Sequence, residues 1–242
     1  GVEKKDSGDI YIGAGTVFSH ITADPVIQEC IPVLGEAVDQ VGGPQIRNIG
    51  TIGGNICNGA VSADSVPTVF SYNALLKIAN AGGGRTVPVR EFYLGPGRVD
   101  LHPGEVLTHV IIPRAEYEGY HGHYIKYSMR NAMDIATLSC SVVSRIDSAK
   151  NILEDVRITF GVAAPVPYRC VETEELLKGQ KPGEELYQKL EDSIRKEIHP
   201  RDSWRASRDF RLQISGEIAR RALIQTVKLA GVPAKDQGGE EA

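Results

Sequence analysis

The sequence predicts an α+β protein in two parts. Three observations point there. Residues 123–162 hold runs with period-two alternation, three helical patterns follow over 171–230, and a glycine-rich stretch at 42–59 interrupts the N-terminal half.

In chain order, residues 9–13 alternate like a strand. Over 24–41, Val26, Ile27, Cys30, Ile31, Leu34, Ala37 and Val38 recur at steps of three and four. That spacing predicts an amphipathic helix, with Asp24 as N-cap and Pro25 at its first position. A short helix is expected from Asp64 to Phe70, then strands near 74–79 and 105–112, with a Gly95-Pro96-Gly97 turn between them. Residues 113–122 read as a linker. Strands are expected at 123–129, 138–146 and 155–162. Leu138, Cys140, Val142 and Ile146 share one face, as do Val156, Ile158, Phe160 and Val162. This predicts an antiparallel sheet with one covered face. Helices at 171–178, 184–198 and 208–230 would supply the cover, and 234–242 reads as a disordered tail.

With 242 residues the chain can bury a real core without staples. Its net charge of −4 gives no basic footprint for nucleic acid or an anionic membrane. No apolar run approaches the ~18 residues of a spanning helix. The polar N-terminus is no signal peptide, so a cytoplasmic location is expected. Cys30, Cys57, Cys140 and Cys170 stand apart without a CxxC pair, which argues against zinc or iron–sulfur ligation by this chain and for reduced thiols. The chain starts at Gly1, and its only methionines are Met129 and Met133.

The glycine-rich stretch is the informative segment. Residues 46–65 read Ile-Arg-Asn-Ile-Gly-Thr-Ile-Gly-Gly-Asn-Ile-Cys-Asn-Gly-Ala-Val-Ser-Ala-Asp-Ser. Glycines at 50, 53, 54 and 59 allow positive φ and close approach by a ligand, and such a loop can aim several N–H groups at a diphosphate. It is neither a Walker loop nor GxGxxG. Asp64 reads either as an N-cap or as a carboxylate accepting from a ligand.

Arg47-Asn48-Ile49-Gly50-Thr51-Ile52-Gly53-Gly54-Asn55, followed by Asp64, resembles the FAD-binding medium subunit of molybdenum hydroxylases, bacterial xanthine dehydrogenase above all. Further strings agree in order: Gly84-Arg85-Thr86-Val87-Pro88-Val89, Glu105-Val106-Leu107, Lys126-Tyr127-Ser128-Met129-Arg130 with Asp134-Ile135-Ala136, and Ser203-Trp204-Arg205-Ala206-Ser207 with Phe210-Arg211. The resemblance implies a vanillyl-alcohol-oxidase-type FAD-binding domain over 1–116, represented by its second subdomain. It implies a three-stranded antiparallel sheet with three helices over 117–233, of the carbon monoxide dehydrogenase flavoprotein type.

It also implies roles. Thr51, Ile52, Gly53, Gly54 and Asn55 would line the FAD diphosphate and ribityl chain, with Asn58 and Asp64 adding hydrogen bonds. Val106 and Leu107 would pack on the adenine or flavin. Ile125 and Lys126 would lie near the isoalloxazine, Lys126 stabilising negative charge on the reduced ring. Asp134 would sit where a nicotinamide arrives, or serve as a turn residue or partner for Arg130. No catalytic residue of its own is expected. Electrons would pass from a molybdopterin-binding large subunit through a two-iron iron–sulfur small subunit to FAD and on to NAD, in a dimer of heterotrimers. Purine is the favoured substrate class.

The family's opening Ala-Gly-Gly-Thr-Asp string is absent, so the expectation is an N-terminally shortened chain holding one wall of the FAD site. The alternative reading is a truncated or degenerate subunit that acts as a docking module without flavin. Of the remaining candidates, His121 and His123 read as surface groups rather than metal ligands. The run Arg201, Arg205, Arg208, Arg211 reads as a solvated or subunit-facing surface, or as a dock for an acidic partner, with Trp204 as a core or interface anchor.

Overall fold

The computed structural model describes residues 1–232, and the tail expected at 234–242 lies outside them. The first part opens with strands β1 (Val2–Lys4) and β2 (Ile10–Gly13). Six short helices follow: α1 (Phe18–Ala23), α2 (Pro25–Cys30), α3 (Pro32–Asp39), α4 (Pro44–Arg47), α5 (Ile52–Cys57) and α6 (Ser65–Ser71). Then come β3 (Leu75–Asn80), β4 (Gly83–Pro88), α7 (Val89–Phe92), β5 (Tyr93–Gly95), β6 (Arg98–Val99), β7 (Val106–Ile112) and α8 (Arg114–Tyr117). An antiparallel sheet of order β1-β2-β7-β3-β4 carries the helices on one face, around a core that includes Ile12, Leu34, Ile52, Phe92 and Val110.

The helix expected over 24–41 is two helices. Asp24 caps α2 as expected, its Oδ1 accepting from the Val26 N–H at 2.9 Å. Pro32 then breaks the run. The ring of a proline disfavours helical geometry in the residue before it, and Ile31 sits at φ −143°, ψ 53°. The stretch read as a linker contains α8 and the start of the next strand.

The second part has strands β8 (His121–Tyr127), β9 (Leu138–Asp147), β10 (Ile152–Gly161) and β11 (Tyr168–Arg169), then helices α9 (Val171–Leu177), α10 (Glu184–Glu197) and α11 (Arg208–Leu229). Its antiparallel sheet has order β11-β10-β9-β8, so the expected three long strands gain a two-residue fourth at one edge. Leu138, Cys140, Val142, Ile158 and Phe160 face Tyr187, Leu190 and Leu223 in a second core.

The other face of this sheet is also covered, which corrects the expectation of one covered face. Ser139, Ser141 and Thr159 are buried, because α6 lies on them and every one of its residues is buried. The contact is made by hydroxyls and an arginine. Ser71 Oγ donates to Thr159 Oγ1 at 2.9 Å. Arg157 donates to the carbonyls of Ser71 at 3.2 Å and Glu116 at 3.0 Å, and to Tyr120 Oη at 2.8 Å. Arg157 also lies 4.3 Å from the Tyr120 ring centroid. At the sheet's edge, α3 packs on β8 so closely that Gly122 leaves no room for a side chain. A Cβ there would stand 2.6 Å from Val33 Cγ1 and 3.1 Å from Val143 Cγ1.

Gly122→Ala is therefore expected to destabilise the protein by about 1–3 kcal/mol through overpacking between the two parts. The exposed Gly82→Ala should stay within about 0.5 kcal/mol of the parent. Paired urea denaturation curves check the difference, and equal midpoints would refute the close approach.

Candidate functional site

The site is built where the two parts meet. Asp64 occupies the N-cap position of α6, yet its side chain does not cap that helix. Its carboxylate turns to β8 instead. Oδ1 accepts from Tyr124 Oη at 2.9 Å and Oδ2 from Lys126 Nζ at 2.9 Å. Lys126 also donates to the Gln40 carbonyl at 2.8 Å, and its side chain is only 6% exposed. Tyr124 and Lys126 reach one carboxylate because alternate strand residues share a face. Ile125, between them, packs against the second core, so its side chain turns away from this cluster.

Burial pushes the Asp64 carboxyl above the usual range, and Lys126 and Tyr124 offset this only in part. Burial likewise drives the Tyr124 phenol far up, so it stays a donor. The Asp64–Lys126 pair joins the first part to the second by a buried ion pair.

Two connected clefts flank this pair. One, of about 360 Å³, is lined by Asn55, Asn58, Ser62 and Asp64, with Ile46 and Ile135 as its apolar rim. The other, of about 560 Å³, is lined by Lys126, Arg47 and Arg130. Gly42, Met133 and Asp134 line both. The shared wall is the connection 128–137 between β8 and β9, which is knitted to itself. Asp134 accepts from the N–H groups of Arg130 at 3.0 Å and Ile135 at 2.9 Å. Desolvation raises the Asp134 carboxyl, but these bonds and the Arg130 charge outweigh it and hold the carboxyl below its usual range. Asp134 is thus the partner of Arg130, as one sequence reading had it.

In the glycine-rich stretch several N–H groups bond within the fold. Thr51 is the N-cap of α5 and accepts from Gly54 at 3.1 Å. The N–H groups of Ile52, Gly53 and Asn55 donate to the carbonyls of Thr16, Ala14 and Thr51 at 3.1, 2.9 and 3.0 Å. Glycine is required at 53 for packing, since a Cβ would meet Ala14 Cβ at 2.6 Å. Gly59, at φ +67°, lets the Gly97 backbone approach to 2.9 Å of where a Cβ would stand. Both glycines therefore serve internal contacts.

The structure thus gathers Asn55, Asn58, Asp64 and Asp134 around the smaller cleft, with Lys126 behind Asp64. It does not bring Ile52, Gly53, Leu107 or Ile125 there, since their side chains or Cα faces lie in packed interior. Val106 is exposed on β7, away from both clefts. Sequence reasoning missed Tyr124, Gln40, Met133 and the apolar rim. The one available signal was that Tyr124 sits two residues from Lys126. Among the described residues no cluster of metal-ligating side chains exists, and no helix is long and apolar enough to cross a membrane.

The donors fit a flavin. The cleft offers carboxamide and carboxylate groups at its base, and half-exposed Ile46, Met133 and Ile135 at its rim, where a planar ring system would cover them. Comparison with known proteins agrees. Residues 1–115 match the FAD binding domain in molybdopterin dehydrogenase, and residues 123–226 match the CO dehydrogenase flavoprotein C-terminal domain. With both halves matched, the chain is an FAD-binding flavoprotein of the two-domain type. Over 231 residues it is 37% identical to a putative xanthine dehydrogenase FAD-binding subunit of Escherichia coli (strain K12), covering 96% of this chain and 78% of that one. The carbon monoxide dehydrogenase medium chain of Hydrogenophaga pseudoflava is 30% identical, over 91% of this chain and 75% of that one. The solved structure of carbon monoxide dehydrogenase from H. pseudoflava superposes with a TM-score of 0.87 at 28% identity, covering 95% of this chain and 78% of that one. The chain belongs to the family of FAD-binding medium subunits of molybdenum hydroxylases.

Lys126→Met is expected to leave Asp64 buried without its cation, at about 3–5 kcal/mol near pH 8. The Asp64 pKa is raised in the folded state, so the carboxyl takes up its proton there at a higher pH than in the unfolded chain. Its protonated form therefore favours folding in acid, and that contribution is lost as pH rises through the folded pKa. The deficit of the variant should accordingly shrink between pH 8 and pH 5. Denaturation at both values checks this, and a pH-independent deficit would refute the pairing.

Proposed function

We propose that this chain is the electron-transferring FAD subunit of a xanthine dehydrogenase-like molybdenum hydroxylase. Electrons from a molybdopterin-binding large subunit reach it through a two-iron iron–sulfur small subunit and leave to NAD, in a cytoplasmic dimer of heterotrimers. What supports the purine reading is the identity with the E. coli relative across nearly the whole chain. What carries the flavin assignment in the structure is the convergence of Asn55, Asn58 and Asp64 in one cleft with an apolar rim.

The chemistry supplied by FAD when bound is the exchange between single-electron and hydride transfer. The chain's own residues position and bias that group. Asn58 presents an exposed carboxamide, and Asn55 is oriented by Ser65 Oγ, which donates to its Oδ1 at 2.7 Å. Asp64 keeps lone pairs beyond those used by Tyr124 and Lys126, so it can accept a further hydrogen bond. Lys126 acts first as the positioning residue of Asp64. Its charge is offset by that carboxylate, so its influence on a reduced ring passes through the pair. Asp134 and Arg130 hold the 128–137 connection closed on the acceptor side. Thr51 and Gly54, at the start of α5, and Val106 on β7 are assigned to the diphosphate and adenine end.

Flavin titration into the purified full-length protein tests this reading. FAD should bind, and Asp64→Ala should weaken it roughly ten- to a hundredfold, the worth of one hydrogen bond to a charged group. With its partner subunits the flavin-loaded protein should support xanthine-dependent NAD reduction. A chain that stays flavin-free on reconstitution, yet still assembles, would replace this reading by that of a docking module.

A further inference from the structure

The loop 201–207 before α11 carries features that neither the core nor the cleft uses. Trp204 is 80% exposed, the most exposed large apolar side chain among the described residues. Its ring is covered on one side only, by the Arg205 guanidinium at 4.2 Å from the centroid. Arg201, Arg205 and Arg208 have no carboxylate partner among the described residues. Residues 201–211 hold four arginines against Asp202 and Asp209, in a chain whose net charge is −4.

The loop is also held rigid from within. Arg211, 2% exposed, donates to the Thr137 carbonyl at 3.0 Å, to the carbonyls of Arg201 and Ala206, and to Ser203 Oγ at 2.6 Å. Ser203 and Ala206 pair in an isolated bridge. A buried cation whose hydrogen-bond acceptors are all neutral is unfavourable in itself. It fixes a loop whose only distinctive surface is an exposed indole and three arginines. Through Thr137, whose N–H donates to the Tyr127 carbonyl at 2.8 Å, the loop is tied to the wall of the larger cleft. Pre-ordered Trp and Arg side chains are what protein interfaces use as anchors.

We propose that loop 201–207 is a docking site for a carboxylate-rich face of a partner protein. The Trp204 indole seats in an apolar recess, and Arg201, Arg205 and Arg208 meet acidic side chains around it. This rests on the reading of the chain as one subunit of a larger enzyme, and its place beside the cleft fits a subunit that exchanges electrons there. Nucleic acid is disfavoured, because the patch is small and the rest of the chain is acidic.

The test uses the full chain and its co-expressed partner subunits. Trp204→Ala should weaken assembly about thirtyfold, as loss of an interface anchor does. Arg201→Glu/Arg205→Glu/Arg208→Glu should slow association and flatten its salt dependence. Arg205→Lys, which keeps the charge and loses the stack, should fall between. All should keep the parent's Tm and flavin affinity, since none of these residues lines the cleft. Variants that assemble like the parent would overturn the docking site and leave the FAD reading intact. A parent protein that binds heparin more tightly than its partner subunits would overturn it in favour of a general polyanion site. A parent that binds neither flavin nor partners would remove both readings together.

Discussion

One buried ion pair fixes the relation between the two parts of this molecule. Asp64 begins the helix that belongs to the first core, and Lys126 stands on the edge strand of the second sheet. Neither charge can remain buried alone, so the two parts must meet in one register for either side chain to be satisfied. Hydrogen bonds from Tyr124 and to the Gln40 carbonyl narrow that register further. The cleft walls follow, since Asn55, Asn58 and Ser62 come from the first part and the 128–137 connection from the second.

The rest of the seam obeys the same logic. Between α6 and the second sheet stand Ser71, Thr159, Arg157 and Tyr120, joined by directional bonds beside the apolar packing of α3 on β8. Apolar contacts tolerate sliding, and hydrogen bonds at 2.8–3.2 Å do not. A subunit that must hold a cofactor against two walls gains from this. Each core supplies the burial that keeps its own part folded, and the seam supplies the orientation.

Much of this was legible in the residues. The alternation in β9 and β10 announced the second part, because one face of each strand carries the apolar residues of the second core. Asp24-Pro25 marked the start of α2 correctly, and Asp64 and Lys126 were singled out through the family resemblance. Three things were not legible. Ser139, Ser141 and Thr159 alternate with apolar residues and read as solvent-facing, since sequence does not show that a hydroxyl-bearing helix lies on them. The close contacts of Gly53 with Ala14 and of Gly59 with Gly97 left no mark in the sequence. And the pairing of Asp64 with Lys126 spans 62 residues, a distance over which no local pattern carries information.

The polar seam has a thermal consequence. Burying apolar surface gives folding its large heat-capacity change, and burying polar surface contributes with the opposite sign. The two aliphatic cores therefore lose driving force on cooling, while the contact of α6 with the second sheet does not weaken in step with them. Near the cold end of the stability curve the junction between the parts becomes the relatively stronger element.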